Sequence, residues 1–356
     1  MNKVFTLLLL ISFHWTVAQN ASTKIEMVSS NWEVPQDAKF ERFDNIETLV
    51  LKSGRAEAKN QNVKNGTIEV DVYANSKRSF AGITFRKQND DMEEVYMRMH
   101  KSNQVDAVQY TPIFNGESNW QLYREHQAKV PLKSEGWNSL RVEVVNKRAE
   151  VFVNDDKVMI IDNLRTDNEE GRIGLWALFE NRFSNFRVTH KNDLMNINMP
   201  VKDTIDPAII TQWHITDAKP YRGQEFSYDR FLEEQYTLVK TENSGLLPIS
   251  KYLKKTSKGN FEENEEDYTI AYTTVEANEQ ETRVFSFDYS DRIIVYLNGV
   301  PVFKGNNAFR AKGIQHTGHI EINTNKLYLP LQKGLNRIHC VVIDKANGWG
   351  LIAKLE

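Results

Sequence analysis

The chain has 356 residues, 45 lysines and arginines against 48 aspartates and glutamates, a formal net charge of −3 and a single cysteine. That balance lacks the basic excess of a nucleic-acid or anionic-membrane partner, and a lone Cys340 excludes an intramolecular disulfide. The length suits two domains of about 100–200 residues each, held by packed cores.

At the start, Lys3 precedes the apolar run Val4 to Phe13, and Thr16, Val17 and Ala18 place short residues where a signal peptidase cuts. Residues 1–18 read as a secretory signal cleaved near Ala18. The run is shorter than the roughly 20 residues of a membrane-spanning helix, and nothing later approaches that length, so no membrane span is expected. No Cys follows the run to carry a lipid anchor. The expectation is an exported protein, periplasmic, secreted or at the cell surface; its cysteine poverty fits a bacterial setting better than a disulfide-stapled module. Cys340, inside LNRIHCVVID, reads as a buried small hydrophobe.

Beyond the signal, period-two alternation of Val, Ile, Phe and Tyr dominates. GTIEVDVYA (66–74), SLRVEVVNKRAEVFVNDDKVMIID (139–162) and GRIGLWALF (171–179) predict strands, as do TRVFSFDYSDRIIVYLNGVPVFKG (282–305) and LNRIHCVVID (335–344). Short strands joined by Asn, Asp, Gly and Lys turns predict an all-β chain of two antiparallel β-sandwich (jelly-roll) domains. The first spans residues 25–190 and the second 211–356, with a polar, Pro-containing linker at 191–210. The carboxylate-rich stretch 255–267 reads as a solvated loop.

One stretch of the first domain, DAVQYTPIFNGESNWQLYREH (106–126), exceeds what a hairpin needs. Asn115-Gly116 is a hairpin turn signal, and Pro112 suits a bulge or edge. Around it stand Arg98, His100, Asp106, Gln109, Tyr110, Thr111, Trp120, Gln121 and Tyr123. Flat apolar faces suit pyranose C–H surfaces, and planar polar groups suit paired hydroxyls, so this set, with Asn115, is the candidate ligand site for an oligo- or polysaccharide. The competing reading has the same aromatics packing a core.

The run of FDN (43–45), GTIEVDV, AGITFR (81–86), GWNSLRVEVVNKRAEVFVNDDKVMIID, GRIGLWA and FSNFRV resembles the concanavalin A-like lectin and glucanase fold. Its order is similar to laminin-G-like domains and to the bacterial 3-keto-disaccharide hydrolase domain. Enzymes similar to family 16 glucanases carry Glu-x-Asp-x-x-Glu or Glu-x-Asp-x-Glu, because retention needs two carboxyls about 5–5.5 Å apart. Here Glu69-Val70-Asp71 is followed by Tyr73 and Ala74 where the third carboxylate belongs, so that chemistry is not expected. A keto-disaccharide hydrolase reading draws on His100, Asp106, Glu117 and His126 as acid/base groups, yet no nucleophile-base-orienter set appears and the catalytic residues stay unassigned.

Two smaller signals concern metals. Asn89, Asp90, Asp91, Glu93 and Glu94 offer oxygen ligands for Ca2+ without a fixed calcium-loop spacing. His316, His319 and His339 lack a supporting ligand pattern. No cofactor is expected. The C-terminal half, through DRIIVYLNGVPVFKG (291–305) and KLYLPLQKGLNRIHCVVIDKANGWGLIAKLE (326–356), resembles galactose-binding-like jelly-roll modules. Trp349, between two glycines, reads as a core plug or an exposed platform. The expectation is an exported carbohydrate-binding protein; a glycoside-processing hydrolase and a surface adhesion or scaffold protein are the alternatives, and the sequence leaves glycan and oligomeric state open.

Overall fold

The computed structural model describes residues 22–191, 205–257 and 265–356, so the segment expected to be a signal and much of the expected linker lie outside the described residues. Strands dominate, all paired antiparallel. No described helix is long and apolar enough to cross a membrane.

In the N-terminal half, a continuous hydrogen-bonded sheet folds back on itself to make two layers. The strand Gly171–His190 is the hinge. Its first half, Gly174 to Leu178, pairs with Phe80–Gln88; its second half, from Arg182, pairs with Gly66–Asn75. A bulge between Leu178 and Asn181 marks the crossing. Phe179 adopts φ +62 there, and Asn181 Nδ2 donates to the carbonyls of Phe80 (2.7 Å) and Phe179 (2.9 Å), stabilising the bend that a bulge introduces.

Alternation sets what lies between the layers. Ile68 and Val70 lie opposite Val142 and Leu140 of the adjoining strand Glu135–Val145 and, with Val72 and Val144, point to the core side, and Ile83, Phe85, Val95, Met97 and Leu175 supply the opposite layer. Each such side chain contributes about 1.5–3 kcal/mol on burial.

The C-terminal half is a second two-sheet sandwich. Gln212–Ile215, Glu266–Ala277, Gly334–Asp344, Arg292–Leu297 and Val300–Asn306 lie in the larger sheet; Leu246–Pro248, Gly350–Leu355, Glu281–Tyr289 and Asn325–Leu331 form the smaller. Trp213, Phe285, Phe287, Ile293, Cys340 and Trp349 fill the space between. Trp349 is a core plug: it is fully buried and donates Nε1 to Val342 O at 3.2 Å. Burial pushes the Cys340 thiol well above its usual value, which leaves it inert. The short helix Tyr228–Glu233, capped by Ser227, lays Phe231 on the outer face of the larger sheet beside Tyr296 and His339.

Candidate functional site

The outer face of the first sandwich is legible row by row from strand register. Arg55 pairs with Trp176, Trp176 with Gly82, Gly82 with Tyr96, Tyr96 with Gln109, and Gln109 with Gln127. The adjacent row runs Glu57, Gly174, Thr84, Glu94 and Thr111. Facing residues across a sheet share a side, so both rows point away from the core. A Cβ on Gly82 would lie 2.6 Å from Tyr96 Cβ, and one on Gly174 would lie 2.2 Å from Ala56 O. Those glycines let the flanking large side chains close over the sheet.

Arg98 is the hub. Its guanidinium donates to Tyr96 OH (2.9 Å), to Asp106 O (2.7 Å) and to Gln109 Oε1. It lies 5.7 Å from the Trp120 ring centroid. Gln109 Nε2 donates to Trp120 O at 2.7 Å, and Gln127 Nε2 donates to Gln109 Oε1 at 3.2 Å. Burial raises Asp106, but the hydrogen bond from Lys101 and the charge of Arg98 outweigh it and hold the carboxyl below its usual value. Around the hub, Tyr96 packs edge-on to Trp176 at 5.1 Å and Trp176 to Phe80 at 6.3 Å. Phe80, Trp120 and Trp176 stay partly exposed.

Glu94 is the group that sequence reasoning placed elsewhere. It sits on this face at 1% exposure, its Oε2 accepting from Arg55 Nη2 at 3.0 Å. Burial raises its carboxyl above the usual range against the pull of Arg55. Its neighbour Glu93 points into the core, where it accepts from Tyr110 OH (2.6 Å), Thr166 N (2.9 Å) and Thr166 Oγ1 (2.7 Å). Strand alternation therefore puts the two carboxylates on opposite faces, a signal available in the sequence once the strand Asp91–Arg98 is assigned. It also breaks up the calcium set: Asp90 pairs with Lys254, and Asp91 Oδ1 accepts from Asn115 N. Among the described residues no group of three His, Cys, Asp or Glu could hold a metal.

Of the residues expected to bind glycan, Arg98, Asp106, Gln109 and Trp120 converge. His100 is exposed and stands apart, its ring 5.0 Å from Phe80. Tyr110 is fully buried on the core side, so it is no ligand contact. Asn115, Gln121 and Tyr123 are taken up by the second sandwich instead of facing a ligand. Asn115 Nδ2 donates to Ser250 O (2.9 Å), Gln121 Nε2 to Thr317 O (2.6 Å) and Tyr123 OH to Glu242 Oε1 (2.7 Å). The turn itself is as expected, with Asn115 and Gly116 at φ +52 and +82.

The remaining acid/base candidates are committed elsewhere. Glu117 pairs with Lys255 at 2.7 Å. His126 packs edge-on to Tyr110 at 5.2 Å, and burial lowers it to about 3. Glu69 and Asp71 share the outer face of the other layer, in a polar depression of about 120 Å³ with Arg141 and Asn185.

No curated protein matches the chain. Solved structures align with about half of it at low identity. They include the carbohydrate binding module CBM66 from Bacillus subtilis, 14% identical over 46% of this chain and 92% of that chain, with a TM-score of 0.34. A putative glycosyl hydrolase from Parabacteroides distasonis is 13% identical over 48% of this chain and 100% of its own, TM-score 0.36. The beta-glucanase of Bacillus licheniformis is 13% identical over 48% of this chain and 98% of its own, TM-score 0.35. Residues 25–189, which make up the first sandwich, match the family described as the 3-keto-alpha-glucoside-1,2-lyase-like domain.

Proposed function

We propose that the first sandwich processes a 3-keto-glucoside on this outer face, with Glu94 taking the proton from sugar C2. One observation carries the reading: a buried carboxyl, raised by burial, beside Arg55 and on the face that bears Trp176 and Tyr96. The family match supports the substrate class.

The chemistry follows from the ketone. A carbonyl at C3 acidifies the C2 hydrogen, so a base can remove it and leave an enolate. The enolate electron pair then forms the C1–C2 double bond and expels the C1 oxygen substituent, which leaves as an alcohol after taking a proton. Burial makes Glu94 a stronger base than a solvated carboxylate. Arg55 offers a positive charge beside it, and the partly exposed Trp176, backed by the buried Tyr96, presents ring surface to the sugar's C–H face. The reading keeps the protein exported, on Lys3 and the apolar run Val4 to Phe13, and the second sandwich as a galactose-binding-like accessory.

The test is incubation with methyl 3-keto-α-glucoside, following alcohol release and the enone product. Glu94→Gln is expected to lower turnover by about 100-fold or more while the protein stays folded. Undiminished turnover in that variant would falsify the assignment of Glu94. Glycan binding without turnover is a second reading, favoured by the partly exposed Phe80, Trp120 and Trp176 rings. It prevails if saccharide binds and prolonged incubation yields no product.

A further inference from the structure

Trp120 belongs to the first sandwich by sequence but is held by the second. Its indole Nε1 donates to Asn347 Oδ1 at 3.0 Å, and its ring meets His319 edge-on at 5.3 Å and Phe309 at 5.9 Å. His319 is itself locked: Nδ1 lies 2.7 Å from Thr317 Oγ1 and Nε2 lies 3.1 Å from Gln127 Nε2. Because the Gln127 amide nitrogen can only donate, His319 Nε2 accepts and Nδ1 carries the proton. Burial holds that imidazole neutral, lowered to about 4. Gln127 in turn donates to Gln109, which accepts from Arg98. A continuous polar chain thus runs from the second sandwich to the hub of the outer face.

The backbone is shaped for this contact. Asn347 holds φ +81, a conformation Asn tolerates better than most residues. Gly348 and Gly350 let Asn119 and Leu122 approach: a Cβ at either position would lie 3.0 Å or less from those residues. A core sandwich alone needs neither the Asn347 acceptor nor the Gln127–His319 link.

From this geometry we propose that the second sandwich completes the saccharide site, with Asn347 and His319 as positioning residues that hold Trp120 as a stacking platform for a second sugar ring. The inference rests on the outer face being the saccharide site. The first ring lies over Trp176, and the ring attached to it extends toward Trp120. A single-ring ligand does not reach Trp120, so the second sandwich selects for disaccharides.

The test compares binding of methyl 3-keto-α-glucoside and 3-ketotrehalose by calorimetry in the full chain, every protein carrying Glu94→Gln so that neither ligand is consumed. Trp120→Ala and Asn347→Gly, the latter keeping the backbone conformation and removing the acceptor, are each expected to weaken the disaccharide about tenfold and leave the single-ring ligand unchanged. Asn347→Asp retains the acceptor and restores disaccharide affinity, a rescue that a purely structural role does not produce selectively. Trp176→Ala reports on the underlying reading and weakens both ligands. If the single-ring ligand binds in a Trp176-dependent way and the disaccharide ignores Asn347 and Trp120, this inference alone falls. If neither ligand binds the Glu94→Gln chain, the outer-face reading falls with it.

Discussion

Trp120 and Asn347 stand 227 positions apart and share a 3.0 Å hydrogen bond, so the two sandwiches are joined through a side chain at the candidate site. Around that bond, Leu122 and Tyr123 of the first sandwich form a small apolar cluster with Leu246 and Ile320 of the second. Asn119 Nδ2 stays within its own hairpin, donating to Glu117 O, while its Oδ1 accepts from Ser250 Oγ. The joint is therefore both hydrogen-bonded and apolar-packed, and a change on either side is felt on the other.

Gly348 is the most sensitive point of that joint. It combines φ +126 with a Cβ position 3.0 Å from Asn119 Cα. Gly348→Ala meets both backbone strain and overpacking, and is expected to cost about 1–3 kcal/mol. Calorimetry is expected to show a lower Tm and the second sandwich unfolding ahead of the first. A melt identical to wild type in both temperature and shape would show that the joint is not stabilising.

Arg98 is expected to resist conservative replacement. A lysine cannot reproduce three donations in one plane to Tyr96 OH, Asp106 O and Gln109 Oε1. Arg98→Lys leaves buried acceptors unpaired, which costs about 1–3 kcal/mol. Chemical denaturation measures this, and an unchanged midpoint sinks the description of Arg98 as a hub.

Much of the fold is legible in the sequence, and the misses have physical causes. Alternation and the Asn115-Gly116 and Asn298-Gly299 turns locate the strands because they report local backbone preference. The surplus polarity of 106–126 is also real. What one chain segment cannot reveal is its partner: Gln121 and Tyr123 look like ligand-binding groups until Thr317 and Glu242, far along the sequence, take their polar atoms. Glu94 is hidden for a different reason. In a run of carboxylates, only the strand register with Thr84 and Thr111 separates it from Glu93. The helix Tyr228–Glu233 is too short to show a period.

A pH dependence follows from the buried group at the joint. Lys255 lies between Glu117 of the first sandwich and Asp344 of the second, with Asp291 nearby. Burial, and then the charge of Asp344, raise Glu117 and Asp291 each to about 7. A carboxyl whose folded pKa is raised stabilises the fold fully below its unfolded value of about 4, and that contribution is lost as pH climbs through about 7. His126, His319 and His339 act in the opposite sense. Burial lowers them to about 3, 4 and 4, so their contribution is present above about 6.5 and lost as pH falls. Thermal melts from pH 5 to 8 are expected to fall on the alkaline side. Glu117→Gln flattens that limb and leaves the acid limb in place; an alkaline limb as steep as wild type refutes the role of Glu117.

Glu93 and Glu94 give the sharpest separation of folding from function, being adjacent in sequence and opposite in face. Glu93 is fully buried and accepts three hydrogen bonds, from Tyr110 and from Thr166 twice. An amide in its place offers one oxygen where two were used, so Glu93→Gln is expected to cost about 1–3 kcal/mol. That corresponds to a Tm lowered by about 2–4 °C per kcal/mol, with turnover per folded molecule near wild type. Glu94 has Arg55 as its partner, which favours the charged carboxylate, while burial raises its carboxyl above the usual range and makes it the stronger base. Glu94→Gln keeps an oxygen for Arg55 and changes stability by less than about 1 kcal/mol, yet removes the base. Measuring Tm and turnover for both variants therefore yields a crossed pattern, stability lost in one and activity in the other. If both variants lose stability and neither loses activity, Glu94 is a structural ion pair and the base lies elsewhere on the face.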